Sequence, residues 1–333
     1  MTTITAPSAA PSPALRDGLD LVVDRIRDLT PVVREVTFRS ADGAELPGFT
    51  AGSHLVVECA GERGTRTNGY SLTGEGLFPT RYTIAVRRDD AGHGGSLFVH
   101  GLRSGDRVRT SRPRSAFAPI VSARRHLLIG AGIGITPIVS HARAAARTGT
   151  PALILYRHRP GEASHLRELR GLASAHRHLE LRAVGSRADW DTVFADALRS
   201  QPLGTHLYAC GPNGFTDAVR ESAIAAGWPD GRLHFEAFGA QTEPGEPFVL
   251  RLGRSGEELP VSAGDSGLEV LEASGRTVPN MCRQGVCGEC MLSVLSGTPD
   301  HKDLFLSPEE KESGRYVMCC VSRATGPTLE VDL

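Results

Sequence analysis

The sequence predicts three folded units: an antiparallel β-barrel or sandwich, a doubly wound α/β unit with a parallel sheet, and a small α+β unit. Residues 17–117 hold short segments in which apolar and polar residues alternate, separated by Gly, Pro and Asp turns. Residues 118–238 alternate apolar runs with helical segments, the pattern of βαβ units. Residues 248–333 combine a hairpin, a helix and a compact cysteine loop. A chain of 333 residues has room for two or three such cores.

The elements follow in order. Residues 1–16, rich in Pro, Ala, Ser and Thr, are expected to form a disordered tail. LDLVVDRI, VREVTFRS, HLVVECA, GYSLTG, RYTIAVRR and DRVRTS read as the barrel strands, with a helix starting near Ser96 as a plug. HLLIGAGIGITP is a strand opening into a glycine turn, followed by the helix VSHARAAARTG. PALILYRHR, LELRAVG and THLYACG read as strands, and ASHLRELRGLA, DTVFADALRS and TDAVRESAIAAG as helices. Residues 239–247, GAQTEPGEP, read as a linker. FVLRLGRSG and LPVSAG then form a hairpin, LEVLEASG a helix, and MLSVLSG and TLEVDL further strands.

Composition excludes several classes. Hydrophobic content of 40% and charged content of 23% are ordinary for a globular protein. With 37 basic against 38 acidic residues, a dedicated nucleic-acid binder is not expected. No apolar run approaches the ~20 residues of a membrane helix. Without a secretory leader pattern, the expectation is a cytoplasmic protein with reduced thiols.

Those thiols carry the chemistry. Cys282, Cys287 and Cys290 read C-x4-C-x2-C, the plant-type [2Fe–2S] spacing, and the pair Cys319 and Cys320 follows. Gly285 and Gly288 let the loop turn its N–H groups toward sulfur. Cys320, at C290-x29-C320 and leading CVSRA, is the expected fourth ligand, with Cys319 its packed neighbour. A zinc site would repeat the C-x2-C knuckle, and disulfides would suit a secreted chain. Cys282, Cys287, Cys290 and Cys320 are therefore the metal ligands expected, and such a protein moves single electrons. Histidine metal ligands are not expected: His54 reads as a barrel-turn residue and His301 as structural.

The middle unit offers a second site. Gly130, Gly132 and Gly134 occupy a strand-to-helix turn where a backbone can approach a pyrophosphate. The pattern is G-x-G-x-G and lacks an acidic ribose partner, so a tight structural turn is the alternative. Ala209-Cys210-Gly211-Pro212 ends a later strand where ligands bind, with a packed core thiol as the alternative.

GAGIGITP, YACGPNGF and HFEAFG together resemble the ferredoxin–NAD(P)+ reductase superfamily. Adding the downstream cysteines, the chain resembles the phthalate dioxygenase reductase and vanillate demethylase reductase family over nearly everything after residue 17. The resemblance implies an FMN-binding barrel, an NAD(P)-binding unit and a β-grasp ferredoxin unit. Gly130, Gly132, Gly134, Thr136 and Pro137 would then hold the pyrophosphate. Cys210, with Gly211 and Pro212, would lie near the reactive nicotinamide carbon, and Glu236 and Phe238 near the flavin edge. Tyr70 would stack on the flavin and Ser71, followed by Leu72, would bond near its N5. Gly94, Gly95 and Ser96 would meet its phosphate, and SRPRSAF, with Arg112, Pro113 and Phe117, would leave the barrel. The family's R-x-Y-S has Asn68 in place of its arginine here, with Arg66 the nearest substitute. Ser71, Cys210 and Phe238 are the catalytic residues so implied.

A flavin accepts hydride from nicotinamide and returns electrons singly, so it joins the two outer chemistries. The family uses FMN and NADH, though Arg157 and Arg159 leave NADPH open. The implied function is a monomeric reductase passing electrons from NADH through FMN and the cluster to a Rieske non-heme iron oxygenase. Docking would be transient, with Arg283, Gln284 and Glu289 on the exposed loop as candidate contacts, an ordinary solvated surface being the favoured alternative for each. The alternatives are a stand-alone flavin oxidoreductase or diaphorase, and a redox-sensing electron-transfer subunit.

Overall fold

Alternating side chains build the first unit. The computed structural model describes residues 15, 18–61, 64–92, 94–237, 245–280, 283, 285, 287–303 and 305–333, with backbone alone for 64–66 and 237. Strands β1 (Leu19–Thr30), β2 (Val33–Ser40), β3 (His54–Gly61), β4 (Gly64–Ser71), β5 (Tyr82–Arg87) and β6 (Arg107–Thr110) form one sheet, ordered β4-β3-β6-β1-β2-β5. All its pairs are antiparallel. A Leu72↔Ile84 bridge and the Thr73 N–H to Thr83 carbonyl bond (2.9 Å) join the outer strands and close the barrel. Closure removes the exposed edges. Leu21, Val36, Phe38, Leu55 and Ile84 fill it, and helix α1 (Gly95–Gly101) adds the fully buried Val99.

Two expectations change here. Leu15, assigned to the disordered tail, is fully buried, and its carbonyl accepts from the Gly18 amide at 2.9 Å. An apolar side chain this close to the first strand finds a place in the fold; residues 1–14 and 16 lie outside the described residues. Strand β4 begins at Gly64 rather than Gly69, because GTRTN pairs with β3 although it has no apolar alternation to announce it.

The second unit is a parallel sheet of β7 (Arg125–Ala131), β8 (Ala152–Arg157), β9 (Leu179–Val184), β10 (Thr205–Gly211) and β11 (Leu233–Ala237), ordered β11-β10-β7-β8-β9. Ile135 and Ile138 of α2 (Ile135–Thr148) and Leu169 of α3 (Leu166–Ala175) pack in one core. Trp190 and Phe194 of α4 (Arg187–Arg199) and Val219 of α5 (Asn213–Ala225) pack in another. Chain order reverses between β7 and β10, which creates a crevice at their carboxyl ends. Helix α2 is tied to the barrel by Arg143, whose Nη1 donates to the Thr73 carbonyl and Nε to Glu168, both at 2.6 Å.

The third unit orders its sheet β13-β12-β18-β14-β16, from β12 (Phe248–Leu252), β13 (Glu258–Val261), β14 (Met291–Ser296), β16 (Tyr316–Met318) and β18 (Thr328–Val331). Strands β12 and β18 are parallel and the other pairs antiparallel. Helix α6 (Gly267–Ala273) buries Leu268 and Leu271 in the same core, giving the β-grasp arrangement. Strand β16, the short pair β15 (Pro299–Asp300) and β17 (Arg323–Ala324), and helix α7 (Pro308–Ser313) were not expected from the sequence. The linker's first six residues lie outside the described residues. Among the described residues no helix is long and apolar enough to cross a membrane.

Candidate functional site

At the crevice, Cys210 on β10 pairs in register with Gly130 on β7 and Glu236 on β11. The turn from β7 into α2 lies directly on the end of β10: a Cβ on Gly134 would fall 2.3 Å from the Cys210 carbonyl oxygen. Gly132 has φ +56°, the left-handed region. A Cβ on Gly211 would meet the Phe215 ring at 2.7 Å. Thr136 donates its hydroxyl to the Ile133 carbonyl at 3.0 Å and Pro137 is buried, so both side chains shape the turn. Pro212 caps α5, and its carbonyl accepts from Phe215. Two helix N-termini thus converge beside a bare backbone, which suits an anionic pyrophosphate.

The charges inside the crevice are muted. Cys210 is wholly buried, and burial, then Glu236, raises its pKa well above the usual thiol value. Burial thus favours the neutral thiol over the thiolate. Burial pushes Glu236 up to about 8, and its Oε2 has no hydrogen-bond partner. Arg157 holds its guanidinium 5.9 Å from the Trp190 and Phe215 rings, a cation–π position, while Arg159 is exposed. Phe238 lies outside the described residues.

In the barrel, Tyr70 and Ser71 end β4. Burial, then the neighbouring Cys59 thiol, pushes the Tyr70 phenol far up while the residue keeps partial exposure. Ser71 is 3% exposed and its Oγ has no partner. A buried hydroxyl left unbonded costs roughly 1–3 kcal/mol, so a ligand atom supplying that bond is what the geometry lacks. Leu72 is fully buried in the barrel core, so its side chain is structural. The Asn68 amide lies against the start of α1, where a Cβ on Gly95 would come 2.6 Å from its Oδ1. Gly94 caps that helix at φ 91° with no side-chain cap. The Ser96 hydroxyl accepts from the Asp89 amide and donates to its carbonyl, at 3.0 and 3.1 Å, and is spent on that loop. The Arg66 side chain lies outside the described residues. An orphaned serine, a half-open tyrosine and an uncapped helix start fit a flavin.

In the third unit, Gly285 and Gly288 turn the cysteine loop at φ 69° and 80°. Cys290, Cys319 and Cys320 are buried and Cys287 half-buried. The Cys319 amide and thiol both point at the Cys290 carbonyl, at 3.3 and 3.2 Å. Contacts from the Cys319 thiol, then the Cys320 thiol, hold the Cys290 thiol below its usual range. Cys282 lies outside the described residues, and among the described residues no three His, Cys, Asp or Glu converge on a single ion. A two-iron cluster spreads four thiolates over two metals, so the described cysteines fit part of one.

Two expectations are corrected. Arg283 is not offered to a partner: it grips Glu272 with two hydrogen bonds, 2.5 and 3.2 Å, and both side chains are about nine-tenths buried. Of its companions, Glu289 is exposed and Gln284 lies outside the described residues. His54 is not in a turn but opens β3, paired with Ser71. Arg323 of CVSRA went unread in the sequence; it donates to the carbonyls of Asp265 (2.7 Å), Ser262 (3.0 Å) and Glu246 (3.1 Å), clamping the loop that leads to α6. Also unread was a histidine group in the middle sheet, where Tyr208 stacks on His234 at 4.5 Å and His206 bonds His234 at 2.9 Å.

Residues 107–233 match the family model described as dimethylamine monooxygenase subunit DmmA-like, N-terminal domain, and residues 250–325 match the 2Fe-2S iron-sulfur cluster binding domain. The chain is 42% identical over 317 residues to the heme-dependent oxidative N-demethylase beta subunit of Ectopseudomonas mendocina, covering 95% of this chain and 99% of that one. It is 37% identical over 318 residues to the carnitine monooxygenase reductase subunit of Escherichia coli, covering 94% and 98%. The solved structure of phthalate dioxygenase reductase, described as modular for electron transfer from pyridine nucleotides to [2Fe-2S], superposes with TM-score 0.79 at 34% identity, covering 97% of this chain and 100% of that one.

Proposed function

Because the chain belongs to the family of phthalate dioxygenase reductases and their carnitine monooxygenase and vanillate O-demethylase counterparts, we propose that it is the NADH-dependent reductase subunit of a multicomponent oxygenase. The chain is a flavin and iron–sulfur oxidoreductase, and its partner is an oxygenase. The reading goes further in naming FMN as the flavin and a Rieske non-heme iron protein as the partner. Its units divide at residues 117 and 238, in keeping with a barrel whose last strand ends at Thr110 and a parallel sheet that starts at Arg125.

One observation carries the assignment of roles: the Ser71 hydroxyl at the end of β4 and Glu236 Oε2, beside Cys210 in the neighbouring strand, are buried polar atoms without hydrogen-bond partners. Ser71 would hold the reacting edge of the flavin, the glycine turn the pyrophosphate, and neutral Cys210 the wall against the nicotinamide. The bound flavin supplies the conversion from hydride to single electrons. Cys282, Cys287, Cys290 and Cys320 would hold the cluster.

A second reading of the partner has its own support. The relative at 42% identity is named for heme-dependent oxidative N-demethylation, and the matched family model for a dimethylamine monooxygenase subunit. Mixing the purified reductase and NADH with a Rieske demethylase or a heme-dependent N-demethylase separates the two. Formaldehyde release with the Rieske protein alone is expected; release with the heme protein alone would replace the first reading by the second.

A further inference from the structure

Ser71, His54 and Arg114 stand side by side on three neighbouring stretches of backbone. His54 pairs in register with Ser71, and on its other side bridges Arg114 through two backbone bonds of 2.8 and 3.0 Å. Arg114 is therefore held one strand beyond the flavin-site serine. Its side chain leaves the barrel and donates from Nη1 to the Asn280 carbonyl at 3.2 Å. Asn280 lies two positions ahead of Cys282 in the sequence.

The receiving side is braced. Asn280 donates its Nδ2 to Glu272 Oε1 at 3.3 Å, and Arg283 grips the same carboxylate from the other side of the loop. Burial first, then the like charge of Arg283, lowers the Arg114 pKa from its usual value, with Glu272 acting the other way. Glu272 thus holds both Asn280 and Arg283 at the base of the cysteine loop, and Arg114 reaches that cluster through the Asn280 carbonyl. Removing Glu272 would leave the largely buried Arg283 without this carboxylate and Asn280 without one of its bonds.

We infer that Arg114 is a positioning residue for internal electron transfer: it pins the entry of the cluster loop to the strand beside the flavin serine and so fixes the gap an electron must cross. This use of the joint rests on the electron-transfer reading above; the joint itself rests on the contacts alone. Electron transfer falls steeply with distance, so a loosened joint slows that step and leaves hydride arrival at the flavin untouched.

The test uses the full-length protein with Arg114→Ala, Arg114→Lys and Glu272→Gln. Hydrogen exchange needs no cofactor: amides of residues 276–278 and 280 should exchange about tenfold faster in Arg114→Ala and Glu272→Gln. In rapid mixing with NADH, flavin bleaching should keep its rate while cluster reduction slows by about tenfold or more. Arg114→Lys keeps the charge without the planar fork and should fall between. Should Arg114→Ala not fold, Glu272→Gln and Arg114→Lys give the same readings. Unchanged exchange in every folded variant overturns the joint, and a loss of flavin bleaching equal to the loss of cluster reduction overturns its role. Because the exchange measurement involves no electron, it also separates failure of the joint from failure of the electron-transfer reading.

Discussion

Cys319 and Cys320 are neighbours with different surroundings. Cys319 buries its thiol against the Cys290 carbonyl, and its own carbonyl accepts from Leu268 at the start of α6. A ligand role for Cys320 predicts that Cys320→Ser loses the cluster's visible absorbance and its iron. Cys319→Ala should keep both and cost about 1 kcal/mol of stability from the small void. Iron analysis and denaturant melts check the pair. Glu236 gives a prediction of a different kind. Its folded pKa of about 8 lies above the ordinary 4.5, so the native state keeps a proton that the unfolded chain releases between those values. The stability linked to that proton is fully present below pH ~4.5 and is lost as pH rises through ~8. Glu236→Gln should therefore out-melt the wild-type apoprotein by a margin that grows from pH ~5 to ~8, on the order of 3 kcal/mol at the upper end. Melting curves that keep a constant offset across that range contradict it.

Among the elements, the turn from β7 into α2 is the one whose chemistry depends most on a missing atom. A Cβ on Gly134 would press on a backbone carbonyl, which cannot step aside as a side chain can. Gly134→Ala should slow flavin reduction by NADH about tenfold or more, and cost about 1–3 kcal/mol. Electrons supplied by dithionite should still reach the cluster at the wild-type rate. This turn was legible in the sequence, because GAGIGITP joins an apolar strand to a helical run. The barrel strands were legible from alternation, except for β4, whose GTRTN start is polar throughout. Helix α7 could have been read from Ser307-Pro308-Glu309-Glu310, which forms a capping box with proline in the first turn. Strand β16 is three residues long and carries too little pattern. The contact between Arg114 and Asn280 spans 166 positions, and no local pattern encodes it. The burial of Arg283 was missed for the same reason, since Glu272 reaches it only once α6 has packed.

Across the whole molecule, three units of different architecture are joined by specific bonds between described residues. Arg143 and Arg147 hold α2 to the barrel through Thr73 and Glu75, and Arg114 holds the barrel to the third unit. The order matches the solved phthalate dioxygenase reductase along nearly the full chain. Such an order makes sense only if electrons run through it in series, from the nucleotide crevice to the barrel to the cysteine loop. Stepwise anaerobic addition of NADH to the purified protein, followed by absorbance and low-temperature EPR, tests this most directly. The account predicts that each addition bleaches the flavin and raises the signal of a reduced [2Fe–2S] centre. A flavin that bleaches fully while the cluster stays oxidised would contradict it.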